Sequence, residues 1–411
     1  MVREGTVSFS AMFSSLRYPN FRLLWTTSFL SSAARAVQQI TIGWLVFDLT
    51  GSALLLGTVT FLGLAPTLFL SPFLGVLIDQ FDRRKLLIAS QGVMALLSLV
   101  LAVGVALGVV TTWHVMVFAL VSGIDNTIIH VVRQAMLPQA VPREGLLNAV
   151  ALSSTGFNIT RIIAPFTGGV LIVVFGAAGN FVLQALLLVA VALAAFAMHL
   201  PALDDPADKA ERFSRRLKSG FEYVARDRVL RAVFIFQFAL MFLAAPYASL
   251  LPAIASDVLG ADPTGLGILY AATGAGALIG ALALASLGNI SSKGLVTIVM
   301  SISVGLALAA LGRSDVFLLS VVLLAYLGAA QTLVSSSATT LVQGSTPDAW
   351  QGRVMSLYNL NHGTLAIGTF LIGALAEWLG IRAALTWFGL AVAAMAALSF
   401  VGLPALRDVR S

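Results

Sequence analysis

Long apolar runs broken by short polar segments fill this chain from end to end. A bilayer core of ~30 Å needs about 20 apolar residues as a helix. At that window twelve runs stand out, over residues 23–47, 54–78, 85–108, 112–136, 148–175, 179–200, 230–256, 264–287, 293–312, 315–343, 353–377 and 382–403. Each run is continuous, whereas a membrane strand alternates over about ten residues. The pattern therefore predicts an all-α membrane protein with twelve transmembrane helices. The first run is too long for a signal-peptide core and reads as the first span. Most connections are very short. The exception, Pro201 to Arg228, holds a dense charge run (Asp204, Asp205, Asp208, Lys209, Glu211, Arg212, Arg215, Arg216, Lys218) and divides the spans into two sets of six. The expected organisation is a six-helix bundle over residues 1–200, a linker over 201–229 and a second six-helix bundle over 230–411, around a central cavity. Within the linker, Phe213, Leu217, Phe221 and Val224 recur at helical spacing between basic residues, which predicts an amphipathic helix on the inner leaflet.

An internal repeat supports this division. A shift of 204 residues pairs Gln139 with Gln343, Glu144 with Asp348, Val150 with Val354, Gly169 with Gly373 and Gly176 with Gly380. Duplicated halves of this kind place a cavity at their interface.

Composition agrees: 59% of residues are apolar and 10% charged, against roughly 25% charged in a soluble domain. The charges that exist are placed unevenly. Twenty of the 24 Lys and Arg residues fall on the side of the N-terminus, Arg313 and Arg382 on the other, and Arg35 and Arg161 within spans. Positive residues mark the cytoplasmic side, so both termini and the linker are expected there, in the plasma (inner) membrane. The net charge of +6 is then an orientation signal and gives no reason to expect nucleic acid. Without cysteine there is no disulfide, thiolate metal site or cysteine nucleophile, and His114, His130, His199 and His362 are too far apart for a metal cluster. No phosphate-binding loop is present. These features argue against an intramembrane enzyme and an ATP-driven pump, and no cofactor or metal is expected.

The sharpest motif follows the second run: Gly75, Asp79, then Asp82, Arg83, Arg84 and Lys85. A glycine in the last turns permits close helix contact, and the acid sits where it can meet a helix N-terminus or a basic group. The segment resembles the loop motif of the major facilitator superfamily, Gly-x-x-x-Asp-Arg/Lys-x-Gly-Arg/Lys-Arg/Lys, with Gln80 and Asp82 as departures. The resemblance implies that Asp79, Arg83 and Arg84 form a latch bracing the two bundles and favouring the outward-open state; the alternative is that the bases only set topology. Ser15 to Trp25, Arg133 to Pro138, Leu147 to Leu152 and Asn158 to Gly169 are similar to the drug-efflux branch that includes macrolide and enterobactin exporters. In the last of these, Pro165, Gly168 and Gly169 resemble the Gly-Pro-x-x-Gly-Gly exporter motif of helix five, with Ala164 in place of its first glycine. Proline kinks a helix and the glycines admit a close neighbour; Gly276 and Gly280 offer a similarly smooth face.

Ionisable residues at bilayer depth are costly and mark function by default. Arg35, Asp125 and Arg161 fall near the midplane, in spans that the superfamily fold places in one bundle. The resemblance thus implies an Arg–Asp–Arg cluster in which Asp125 carries or gates a coupling proton while Arg35 and Arg161 modulate it and line the cavity. A structural ion pair locking the bundle is the alternative. Gln38, Gln39, Asn126, His130, Asn158, Gln331, Asn359 and His362 are polar cavity candidates. The rest of the lining is expected to be greasy, with Phe61, Trp113, Phe118, Phe157, Phe234, Phe238, Met241, Phe242, Tyr270, Tyr326 and Tyr358 available to apolar cargo. The function so implied is a secondary-active transporter, proton-coupled and exporting hydrophobic or amphiphilic small molecules by alternating access as a monomer. An importer or facilitator of the same fold, and a non-transporting receptor, are the alternatives.

Overall fold

The computed structural model describes residues 14–78, 81–199, 213–287 and 293–403, and among these every regular element is helical. Asp79, Gln80 and most of the linker's charge run lie outside the described residues. In chain order the helices are α1 Pro19–Thr50, α2 Ala53–Ile78, α3 Arg83–Ala106, α4 Thr112–Ala140, α5 Leu146–Phe196, the linker helix α6 Phe213–Arg226, α7 Arg228–Ala244, α8 Pro263–Leu287, α9 Lys293–Leu311, α10 Phe317–Gly344, α11 Asp348–Tyr358, α12 Asn361–Leu379 and α13 Ile381–Gly402. Among the described residues, ten helical segments are long and apolar enough to cross a membrane. With α1, and with α5 counted as two limbs, the apolar segments number ten to twelve.

Local chemistry sets the boundaries. Pro19 starts α1, where its missing N–H costs nothing, and Gly51 ends it at φ 62°. The Asp82 carboxylate accepts from the backbone N–H of Arg84 and Lys85, capping α3. α5 is one run of helix only in hydrogen bonding: Gly176, at φ 68° and ψ 178°, folds it back on itself. The amide of Asn180, just beyond the bend, donates to the Gly168 carbonyl at 2.9 Å. Its repeat partner Gly380 has the matching conformation, φ 88° and ψ 152°, between α12 and α13.

Two spans expected to be continuous are broken. After α7 the chain passes through a 3-10 turn Pro246–Leu250, one turn Leu251–Ala253 and a π turn Ile254–Val258. Pro246 and Pro252 remove backbone donors there and leave carbonyls to be satisfied by other helices. Gln331 of α10 donates to the Ala244 carbonyl at 3.0 Å, and the Tyr270 hydroxyl of α8 to that of Ala248 at 3.0 Å. The span expected over 353–377 is interrupted at Asn359 and Leu360, between α11 and α12.

Exposure is inverted relative to a soluble protein. On α3, Val93, Leu96, Val100 and Val103 lie on the outer face, while Gln91 and Ser98 point inward. Within the first half α1 packs on α5, α2 on α4 and α3 on α5; within the second, α8 packs on α10 and α9 on α13. The two most extensive contacts between the halves are α2 with α12 and α5 with α8. Both tighten at the face away from the start of α1, called here the far face. A Cβ on Gly57 would lie 2.4 Å from the Thr369 carbonyl oxygen, and one on Gly169 would lie 2.4 Å from that of Pro263. Gly373 and Gly267 are their partners, each with its Cα 3.1 Å from that added Cβ. The repeat offset of 204 that pairs Gly169 with Gly373 thus relates one glycine of each contact, while Gly57 and Gly267 lie 210 residues apart.

Gly276 and Gly280 do serve as a smooth face, but toward Ala325 and Ala329 of α10. Gly169 of the helix-five motif meets Gly267 instead, and the Arg161 carbonyl lies against Gly274. At the rim of the far face the exposed Glu377 carboxylate of α12 accepts from the Ser52 hydroxyl at 2.9 Å and the Leu54 backbone N–H at 3.1 Å. An anion at a helix N-terminus is worth a few tenths to one kcal/mol at such exposure. Glu377→Ala should raise far-face accessibility of a cysteine placed at Thr60 roughly two- to five-fold; an unchanged labelling rate would remove Glu377 from the seal.

Candidate functional site

A cavity of about 300 Å³ lies where the helices of the two halves face each other. The first half supplies all the charged and amide groups of the lining, Arg35, Gln38 and Gln39 of α1, Gln91 of α3, Asp125 and Asn126 of α4, and Gln184 of α5, set among apolar residues such as Ile42, Val46, Leu56, Val59, Met94 and Leu188. The opposite wall, from the broken segment after α7 and from α8 and α12, offers Ala245, Ala248, Pro252 and Leu365, with Ser249, Tyr270 and Thr369 as its polar members. The lining is therefore mostly apolar, as expected, with its charges and amides gathered on the side of the first half. Of the aromatic residues expected there whose side chains are described, only Tyr270 borders it. Phe118 is buried against Phe181, Phe61 packs on Phe370, and Trp113 is 70% exposed on the outside.

The charged centre differs from the expected cluster. Arg35 donates to the Asn126 side-chain oxygen at 2.6 Å and to the Ser32 hydroxyl at 3.4 Å. The Gln91 amide nitrogen stands 3.3 Å from each oxygen of Asp125. Arg35 and Arg133 both act on the Asp125 carboxylate through space. Arg161 does not line the cavity; it is exposed on α5 and faces buried Tyr247 electrostatically. Its place in the charge cluster is taken by Arg133, which the sequence pattern assigns to the cytoplasmic edge. Its guanidinium instead folds inward, donating to the Thr27 carbonyl at 3.0 Å and to the Ser31 hydroxyl. The eight-residue spacing from Asp125 puts both on one face of α4, and that was the available signal. Gln91 carried no signal beyond its position on the inward face of α3.

The other polar candidates divide. Gln38 accepts from Gln184 at 2.5 Å inside the cavity. Gln331 is occupied by the carbonyl left free at the end of α7. Asn359 is exposed at the break between α11 and α12, and the His362 side chain lies outside the described residues. His130 is exposed and shares a hydrogen bond with Gln134. Still, Ser122, Asn126, His130 and Gln134 form one stripe on α4, as do Ser154, Asn158 and Arg161 on α5, at spacings of three and four. Polar and charged side chains exposed at bilayer depth face water, because lipid would penalise them. The stripes continue from the cavity toward the face where α1 begins, here the near face.

In the near-face motif, Arg83 donates to the Ala135 carbonyl of α4 at 3.3 Å. Arg84 donates to the Ala195 carbonyl at 3.1 Å and to that of Phe196, and its guanidinium sits 5.4 Å from the Phe196 ring. A cation at the end of a helix is favourable. Arg84 is thus docked on the second limb of α5. Gly75 lies in the last turns of α2. Of the exporter-motif residues, Gly168 faces Ile40 of α1, whereas Gly169 and the Pro165 carbonyl meet Pro263 and Gly267 of α8. The lead-in residues prove structural: Asn20 exchanges hydrogen bonds with His199, and Trp25 donates to the Leu152 carbonyl at 3.1 Å. Arg84→Gln should therefore leave the protein folded in the membrane, with a stability loss of about 1 kcal/mol; complete loss of folded protein on size exclusion would contradict this.

Known proteins share this architecture. The chain is similar to macrolide efflux protein A of Streptococcus pyogenes, 25% identical over 402 residues that cover 96% of this chain and 98% of that protein. Enterobactin exporter EntS of Citrobacter koseri is 27% identical over 390 residues, 94% of this chain and 92% of the exporter. Among solved structures, a bacterial homologue of the human lysosomal transporter Spinster superposes with a TM-score of 0.75 at 12% identity, over 96% of this chain and 99% of that one. The nucleoside transporter NupG gives 0.73 at 14%, over 95% and 99%. The transmembrane secretion effector family matches residues 10–410. This chain therefore belongs to that family of membrane transporters within the major facilitator superfamily.

Proposed function

We propose that the protein is a secondary-active exporter that moves hydrophobic or amphiphilic small molecules outward in exchange for protons, by alternating access. In this reading residues 1–200 and 230–411 form two six-helix bundles joined by the linker, with both termini cytoplasmic in the plasma membrane. The observation that carries it is the cavity itself: it lies between the halves, is sealed at the far face by paired glycine contacts, and holds Asp125 and Arg35 in its wall. A volume of about 300 Å³ is at the lower end of the range for small-molecule sites. An apolar lining with its charges and amides gathered on one side suits an amphiphile. The words efflux and exporter in the names of the two relatives support the outward direction.

The arrangement corresponds to an inward-facing state, with the far face shut and the polar stripes of α4 and α5 lining a water-filled vestibule below the cavity. Gly75, Asp79, Arg83 and Arg84 act as the latch of the opposite state, when the near face closes. Asp125 exchanges the coupling proton, and Arg35 holds the polar end of the cavity open to cargo. Arg161 sets the electrostatics of the vestibule rather than of the cavity. Everted membrane vesicles test the whole reading: dyes, macrolides and siderophores are screened for accumulation, with and without an uncoupler. Uncoupler-sensitive accumulation of at least one is the expected result. Accumulation of none above protein-free vesicles would point to an importer.

A further inference from the structure

A chain of hydrogen bonds runs from Asp125 along the cavity wall, through Gln91 and Ser31, to Arg133 beyond it. The Gln91 amide nitrogen donates to the carboxylate, and the Gln91 oxygen accepts from the Ser31 hydroxyl at 3.1 Å. The Ser31 oxygen accepts in turn from Arg133, which also holds the Thr27 carbonyl. Every donor points toward Asp125, and the links cross three helices, α4 to α3 to α1 and back to α4. Gln91 is 1% exposed and Ser31 3%, so neither can turn to bulk water for a replacement. Hydrogen bonds aligned in one direction in a low-dielectric site strengthen one another. The same alignment makes the chain sensitive to its end. A protonated Asp125 presents an O–H, and the –NH2 of Gln91 cannot accept it.

We propose that Gln91 and Ser31 are positioning residues of the coupling step, which read the charge on Asp125 and pass it to Arg133. The inference rests on the reading of Asp125 as the coupling acid. When Asp125 takes up a proton, the Gln91 amide turns over and its oxygen accepts the acid O–H. The Ser31 hydroxyl then loses its acceptor and must reorient, which disturbs its bond from Arg133 and leaves the Thr27 carbonyl as Arg133's other hold on α1. Arg133 already has a buried Nε without a partner, a donor in reserve for the second arrangement. The groups facing the carboxylate are Arg35 from α1, Ser90 and Gln91 from α3 and Arg133 from its own helix. Arg35 is tied to Asn126 and Ser32, outside this chain of bonds. Eight residues of helix, about 12 Å, separate Asp125 from Arg133, so the charge at the cavity is felt toward the near face.

The protein has no cysteine, so one introduced at Ser154, exposed on α5, reports alone. The test is its labelling rate by a charged maleimide as a function of pH, divided at each pH by the rate for a small free thiol so that thiol ionisation cancels, on purified full-length protein in lipid nanodiscs. In the Ser154→Cys parent the rate changes with pH about one midpoint. Asp125→Asn should flatten the profile. Gln91→Leu should displace the midpoint by about one pH unit, and Ser31→Ala, which removes a single hydroxyl, should keep the midpoint and lose most of the amplitude. Ser31→Thr, which restores the hydroxyl, should recover it. If Asp125→Asn flattens the profile while Gln91→Leu and Ser31→Ala match the parent, the relay is wrong and the coupling acid stands. If Asp125→Asn retains the full profile, both fall.

Discussion

Asp125→Asn should abolish uphill transport while leaving the protein folded in the membrane. Asparagine has nearly the size of aspartate and keeps an oxygen for the Gln91 amide, so the contacts of α3 with α4 survive. What disappears is the exchangeable charge. Without it the cavity cannot alternate between protonated and charged forms, and a proton gradient has nothing to act on. Accumulation of a transported dye in everted vesicles should fall to that of vesicles without the protein. Exchange of labelled for unlabelled dye, which needs no net proton movement, should continue. Retention of wild-type uphill accumulation would show that another group couples the proton. The expected result separates a coupling acid from a structural ion pair, because breaking a buried pair costs about 3–5 kcal/mol and would lower the amount of folded protein.

The second large effect is expected at the far-face seal. A Cβ on Gly169 would stand 2.4 Å from the Pro263 carbonyl oxygen and 3.1 Å from the Gly267 Cα. Both are backbone, so no rotamer change relieves the clash, and α5 and α8 must separate. Overpacking of this kind costs about 1–3 kcal/mol, which shifts a two-state population by roughly 5- to 150-fold. The cost falls only on the conformation in which the seal is closed. Gly169→Ala should therefore favour far-face opening, and Gly169→Val should do so more strongly, with transport lost because the cycle cannot return. Labelling of a single cysteine at Thr60 from the far side measures the shift. Gly92→Ala is the control, since nothing lies within 4 Å of a Cβ there. Equal labelling in Gly169→Val and Gly92→Ala would mean that this contact does not gate the cavity.

These effects depend on residues that the sequence marks with different clarity. Gly169 was legible twice, through the helix-five motif and through its repeat partner Gly373, because a duplicated contact leaves a duplicated small residue. Asp125 was legible because an acid in an apolar run has few tolerable explanations. Arg133 was not recognised as its neighbour. It lies where a span reaches the cytoplasmic edge, and only packing shows that its side chain folds back toward Ser31. Gln331 misled in the opposite sense. It reads as a cavity amide, yet the prolines that break the segment after α7 leave a carbonyl that claims it. The aromatic residues misled for a related reason: an apolar side chain is at ease against lipid, against another helix or in a cavity, so residue type alone does not choose among them.

The sequence by itself determined the solvent, the helical class and the family, because a bilayer admits few backbone solutions and dictates the length and polarity of each segment. It also determined the repeat, whose glycine pairs are positional and survive divergence. Only the tertiary structure decided which polar groups share one site. Helices in a membrane are apolar on nearly every side, so periodicity says little about which face meets which neighbour. The link from Asp125 through Gln91 and Ser31 to Arg133 joins residues up to 102 positions apart, and it exists only because α1, α3 and α4 converge at one depth.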